Sequence, residues 1–250
     1  MPIRFEFQDA RDWRYLMESL NAIVDEASFI MDGEALKLRA LDPSRIAMVD
    51  LHVPREAFSI YDIGESQVKI GVNFDDLNKV LRRAKAEDKI IFEIEGRRFK
   101  VILAGKAERS FSLPLIDVMG EELPTPRVTF DVVAKMLSDT FRDSLKDAEM
   151  ISDTVKFIGE ENTLKIIAKS DKGELEAKFS PESGSLIEYE VRQPSIASYS
   201  LNYLDDIVSK AYRISELVTV EFSSNKPLSL SFEIVGGGTL RYYLAPRLEA

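Results

Sequence analysis

Three cations, Lys79, Arg82 and Arg83, fall in the stretch FDDLNKVLRRAKAE, residues 74–87 of a 250-residue chain whose formal net charge is −10. Grouped lysine and arginine side chains contact phosphates without reading bases, and the prevailing acidity confines any such contact to one face. The other groups with chemical potential are fewer. Asp75-Asp76 and Asp205-Asp206 are adjacent carboxylates, yet neighbours on a helix point about 100° apart, which suits no shared metal ion. His52 is the only histidine and there is no cysteine, which removes thiolate metal sites, disulfides, cysteine nucleophiles and any triad needing a second imidazole. No GxxxxGK[ST], GxSxG or HExxH string occurs. The Gly236-Gly237-Gly238 run leads into TLRYYLAP, which reads as a strand and not as a phosphate-binding helix start, so a hairpin turn is expected there. The expectation is a non-enzyme with no metal and no cofactor.

The elements that must carry these cations follow from periodicity. In 74–87, Leu77, Val80, Leu81 and Ala84 recur at helical spacing, so Lys79, Arg82 and Arg83 project almost opposite, while Asp75 and Asp76 occupy the first turn. Three more helices are expected near 9–26, 135–150 and 201–213. The first puts Arg11 and Arg14 opposite Trp13, Leu16, Leu20, Ile23 and Val24. The third holds Arg142 and Lys146 among Asp139, Asp143 and Asp147, and the fourth displays Lys210 and Arg213. Strand alternation marks 35–41, 47–53, 89–96, 98–105, 163–170, 217–222 and 228–235, with His52 on an exposed strand face. Short connections with DG, EG and KG imply antiparallel meanders, hence an α+β fold.

The halves read as copies. LKLRA from Leu36 recurs as LKIIA from Leu164, and FDDLNKVLRRA from Phe74 recurs as LNYLDDIVSKA from Leu201, at offsets of 128 and 127 residues. Between them, LIDVMGEELPTPRV (115–128) interrupts periodicity as a linker does. The expected division is a domain over 1–116, a connector over 117–128 and a second domain over 129–250. A hydrophobic content of 45% supplies cores for both, no apolar run spans a bilayer, and the N-terminus lacks the apolar core of a signal peptide, so a cytoplasmic protein is expected. Absent thiols with 30% charged residues suit a thermophile.

Along nearly its whole length the chain resembles the archaeal members of the proliferating cell nuclear antigen family. The segments that carry the resemblance are LDPSRIAMVDLHV (41–53), IGVNFDDLNKVLRRAKAED (70–88), LIDVMGEELPTPRVTFDVVAKM (115–136) and KPLSLSFEIVGGGTLRYYLAPRLEA (226–250). The resemblance implies the DNA-clamp fold: two similar domains, each with two helices on antiparallel sheets, three subunits closing into a pseudo-sixfold ring. It implies a processivity factor that encircles duplex DNA in the nucleoid and tethers DNA polymerase, with the helix faces of Arg11, Arg14, Lys79, Arg82, Arg83, Arg142, Lys146, Lys210 and Arg213 turned to the DNA. Subunits would join through Phe111, Leu113 and Leu115 on one strand and Leu175, Ala177 and Phe179 on another, where Pro114 and Pro181 suit edge positions. The clamp loader, flap nuclease and ligase would dock short peptides in a groove of Leu41, Ile46, Met48, Leu123, Pro227, Ala245 and Pro246, flanked by Phe130. Arg45 and Thr125 depart from the family pattern there, which implies a shifted partner preference. The ring could contain three copies of this chain or paralogous subunits. The competing readings are a clamp-like scaffold that does not encircle DNA, and a carboxylate-dependent nuclease using the paired aspartates.

Overall fold

A computed structural model describes residues 3–64, 66–118 and 123–248. Two compact units emerge, one holding most of 3–123 and the other most of 124–248. The first begins with β1 (Ile3–Phe7), α1 (Ala10–Asn21), β2 (Glu26–Met31), β3 (Ala35–Leu41) and β4 (Ala47–Pro54). It continues through β5 (Ile60–Asp62), β6 (Val68–Asn73), α2 (Phe74–Leu81), β7 (Lys89–Glu95), β8 (Arg98–Ala104) and β9 (Glu108–Pro114). The second begins with β10 (Val132–Leu137), α3 (Ser138–Glu149), β11 (Thr154–Glu160), β12 (Thr163–Ser170) and β13 (Gly173–Phe179). It continues through β14 (Glu188–Val191), β15 (Ser195–Ser200), α4 (Leu201–Ala211), β16 (Leu217–Phe222), β17 (Leu228–Ile234) and β18 (Gly238–Leu244).

The two orders are the same, element for element. Strand neighbours run β5-β1-β7-β8-β9 and β4-β3-β2-β6 in the first unit, and β14-β10-β16-β17-β18 and β13-β12-β11-β15 in the second. All strand pairings with a described register are antiparallel, as the short turns require. The duplication inferred from two short strings is thus matched by the topology: Leu36 and Leu164 lie on β3 and β12, and Phe74 and Leu201 open α2 and α4.

Each unit buries its helix stripes against alternating strand residues. In the first, Trp13 from α1 meets Phe5, Phe7, Phe58 and Phe92, with Phe5 and Phe92 stacked at 4.7 Å between ring centroids. In the second, Phe157 contacts Phe141, Tyr199 and Phe222 at 5.5 to 6.2 Å. All four are fully buried, the arrangement in which aromatic side chains contribute most. His52 is exposed on β4 between buried Leu51 and Val53. The triple glycine does form a turn between β17 and β18: Gly236 and Gly237 take φ of 86° and 83°, and a Cβ on Gly236 would stand 2.5 Å from that of Ala57.

The helices are shorter than periodicity suggests. α1 stops at Asn21, where Ile23 and Val24 N–H both bond Leu20 O, and it does not reach Glu26 because the Asp25 carbonyl accepts from Phe74 N–H and Glu26 pairs with Asn73 across β2 and β6. α2 stops at Leu81, since Arg83 and Ala84 N–H groups bond three residues back and Lys85 N–H goes to the Asp88 carboxylate. Residues 135–137 end β10 instead of starting a helix, because Val132, Ala134 and Met136 alternate into the core. α4 ends at Ala211, with Tyr212 as its cap. Just before the expected connector, Ile116 bridges to Gly71; within it, 123–128 carry no helix or strand, and residues 119–122 lie outside those described. Among the described residues no helix is long and apolar enough to cross a membrane.

Candidate functional site

The cations are presented by two helix pairs. In the first unit, α1 and α2 are tied side by side: Asn78 Nδ2 donates to Met17 O at 3.3 Å and Asn21 Nδ2 to Asp75 Oδ1 at 2.9 Å. Asp9 and Asn73 cap the two helices by accepting from Arg11 N–H and Asp76 N–H. Of the five expected contacts here, three have carboxylate partners. Arg11 bonds Asp9 at 2.7 Å, Arg14 bonds Glu18 at 3.0 Å, and Lys79 bonds Asp76 at 2.8 Å. The hydrogen bond from Arg11 holds the Asp9 carboxyl below the usual carboxylate range, and the bond to Asp76 raises the Lys79 ammonium. Arg82 and Arg83 are exposed and have no ion pair among the described residues. They sit just beyond the helix, at its C-terminal end, where cations also complement the dipole.

In the second unit α3 and α4 meet through Arg142, whose guanidinium lies 4.2 Å over the Tyr212 ring while bonding Asp143 at 2.6 Å. Its side chain is only 23% exposed, so much of this charge is spent holding the helices together. Arg213 approaches the same ring, and its hydrogen bond to the phenol lowers the Tyr212 pKa. Lys146 and Lys210 are exposed on α3 and α4. The aspartate pairs are engaged differently from each other: Asp75 and Asp76 are exposed and bonded to Asn21 and Lys79, whereas Asp205 is half-buried, so the second pair is not fully on a solvated face.

The second feature is the state of the strand edges. β5 and β14 are edge strands of three and four residues. The β6 edge is covered by Ile116, whose N–H bonds Gly71 O at 3.1 Å, and the β15 edge by Arg247, whose N–H bonds Ser198 O at 2.7 Å. β9 and β13 are seven-residue strands with, among the described residues, one partner each, β8 and β12. Long edges of this kind are templates for another chain. Phe111 and Leu113 on β9, Leu115 just after it, and Leu175 and Ala177 on β13 are half-buried; Phe179 is 4% exposed and belongs to the core of its own unit.

None of the ten expected groove residues is fully buried. In the second unit, Arg45 turns the chain with φ of 58°, Ile46 is 39% exposed, and its carbonyl accepts from Ala245 N–H at 2.9 Å, bringing those segments together. Pro246 follows, Pro227 is held from behind by Tyr199 Oη donating to Lys226 O, and Met48 and Phe130 are half-buried; Thr125 is exposed. In the first unit, Leu41 is half-buried, and Arg39 fixes Leu123 by donating to its carbonyl while pairing with Asp50, both at 2.9 Å. Arg39 and Tyr199 were not legible as site residues: one lies in an ordinary strand pattern and the other reads as core.

A duplicated α+β unit with cationic helix pairs and, among the described residues, two long uncovered strand edges defines a clamp-type protein. Residues 3–117 match the family described as proliferating cell nuclear antigen, N-terminal domain, and residues 125–247 match its C-terminal domain. A DNA polymerase sliding clamp from Thermofilum pendens is 54% identical over 247 residues, covering 99% of this chain and 100% of its own length. DNA polymerase sliding clamp 1 from Pyrobaculum aerophilum is 45% identical over 241 residues, 96% of each chain. Among solved structures, PCNA from Thermococcus kodakaraensis superposes with a TM-score of 0.93 at 28% identity, covering 98% of this chain and 100% of that one. The PCNA2–PCNA3 complex from Sulfolobus tokodaii gives 0.91 at 31% identity, with 98% and 100% covered. The chain belongs to the proliferating cell nuclear antigen family. Its function is that of a sliding clamp, a processivity factor that performs no catalysis.

Proposed function

We propose that subunits of this kind close into a trimeric ring around duplex DNA, β9 of one subunit pairing with β13 of the next. The observation that carries this is the matched pair of long edges, β9 and β13, uncovered among the described residues, where β5 and β14 are short and β6 and β15 are covered. Arg11, Arg14, Lys79, Arg82, Arg83, Arg142, Lys146, Lys210 and Arg213 face the DNA in this reading, as phosphate contacts without sequence readout. Arg82, Arg83, Lys146 and Lys210 do most of it, because the others are partly neutralised or engaged by neighbours. The division at 117–128 separates the two domains, the groove around Ile46, Leu123 and Ala245 receives short peptides of DNA polymerase, clamp loader, flap nuclease and ligase, and the ring works at the nucleoid in the cytoplasm. The name of the Sulfolobus complex supports assembly with paralogous subunits as a second route to the ring. Native mass spectrometry of the purified chain across dilution tests this: a trimer means self-assembly, and a monomer that trimerises only with added paralogues means a mixed ring. A chain that stays monomeric in every mixture would refute ring formation.

A further inference from the structure

Arg82, Arg83 and Lys85 are exposed on the segment joining α2 to β7, outside any helix. Like charges on such a loop repel and splay it unless something holds it. Asp88, only 3% exposed, does so from beneath. Its Oδ2 accepts from Lys85 N–H at 2.7 Å and from Arg109 Nη2, and its own carbonyl accepts from Ala10 N–H at 2.9 Å. Arg109 Nη1 donates to Arg83 O at 2.8 Å. Both guanidinium branches therefore point into the loop, and the charge of Arg109 is matched by a buried carboxylate instead of being offered to solvent. The site is tightly built: a Cβ on Gly105 would stand 2.1 Å from Asp88 Oδ1. Arg109 is itself anchored on β9, opposite Leu103 in the β8 ladder.

We propose that Arg109, clamped to Asp88, is a positioning residue that fixes the Arg82–Arg83–Lys85 loop in the shape that meets DNA phosphates. This rests on the reading that the α2 end faces DNA. It differs from a direct contact by Arg109 in the sign of one effect. Asp88→Asn removes a negative charge beside the DNA path, so if Arg109 were a phosphate ligand held back by Asp88, the variant would bind a short fluorescent duplex more tightly. A positioning role predicts weaker binding, by about fivefold at low salt, the order of one lost phosphate contact. It also predicts faster hydrogen exchange at the Lys85 amide and an unchanged native mass. In an Arg82→Gln/Arg83→Gln background, Asp88→Asn should cost less than it does in the wild type, because Lys85 alone remains of the groups it positions. Tighter or unchanged duplex binding by Asp88→Asn, beside a weakened double variant, would overturn the proposal alone. A double variant that binds as wild type does would overturn the DNA reading and the proposal with it. Should Asp88→Asn fail to fold, Arg109→Lys serves: it keeps the pair with Asp88 but cannot also reach Arg83 O, so weaker binding supports the clamp and unchanged binding refutes it.

Discussion

The salt dependence of duplex binding separates cations that are free from those that are spoken for. Each phosphate contact releases counterions and contributes about 0.9 to the slope of log K against log salt on B-form DNA. Arg82 and Arg83 have no ion pair among the described residues, so Arg82→Gln with Arg83→Gln should flatten the slope by about 1.8 for each subunit engaged. Lys79 is bound to Asp76 at 2.8 Å. Contact with phosphate must compete with that carboxylate, so Lys79→Gln should flatten the slope by clearly less than about 0.9. The assay is fluorescence anisotropy of a labelled duplex over a salt series, with the oligomeric mass checked for each variant. A slope unchanged in the arginine double variant, or a Lys79 effect as large as that of either arginine, would refute the reasoning that ion pairing inside the protein decides which helix cations reach the DNA.

Three further outcomes are expected. Gly159→Ala on β11 should destabilise the second unit by about 1–3 kcal/mol, because the new Cβ would lie 2.5 Å from Val132 Cγ2 and 3.2 Å from Phe222 Cζ, a clash thermal unfolding would detect. Asp32, bonded by Lys37 Nζ and by the Glu34 and Ala35 N–H groups, has its carboxyl lowered from the usual 3.8 to about 2. Its contribution is therefore complete above pH 3.8 and lost as pH falls towards 2, so acid titrations of wild type and Asp32→Asn should differ at neutral pH and converge at the acid end. Ala177→Glu on β13 should prevent assembly in native mass measurements while leaving the circular dichroism of the chain unchanged, since Ala177 is half-buried on an open edge; an intact trimer would refute the edge assignment.

Much of the molecule was legible in its sequence because helical and strand periods are properties of a few neighbouring residues. The runs 35–41, 163–170 and 217–222 are strands to the residue, and the string LNYLDDIVSKA is α4 from end to end. What the tertiary structure decided depends on partners distant in sequence. The end of α2 was misplaced by six residues because Asp88, held by Arg109 from β9, competes for the Lys85 amide. Phe179 alternates like its neighbours, yet only the packing of its unit assigns it to the core. The aspartates beside Arg142 were visible as a charge balance, but the Tyr212 ring that also engages it comes from another helix. The alternation of Phe111, Leu113 and Leu115, and of Leu175, Ala177 and Phe179, announced strands without saying that they are edges, since any half-buried strand alternates. Being an edge is a fact about hydrogen bonds not made, and those are counted only once the other strands have found their neighbours.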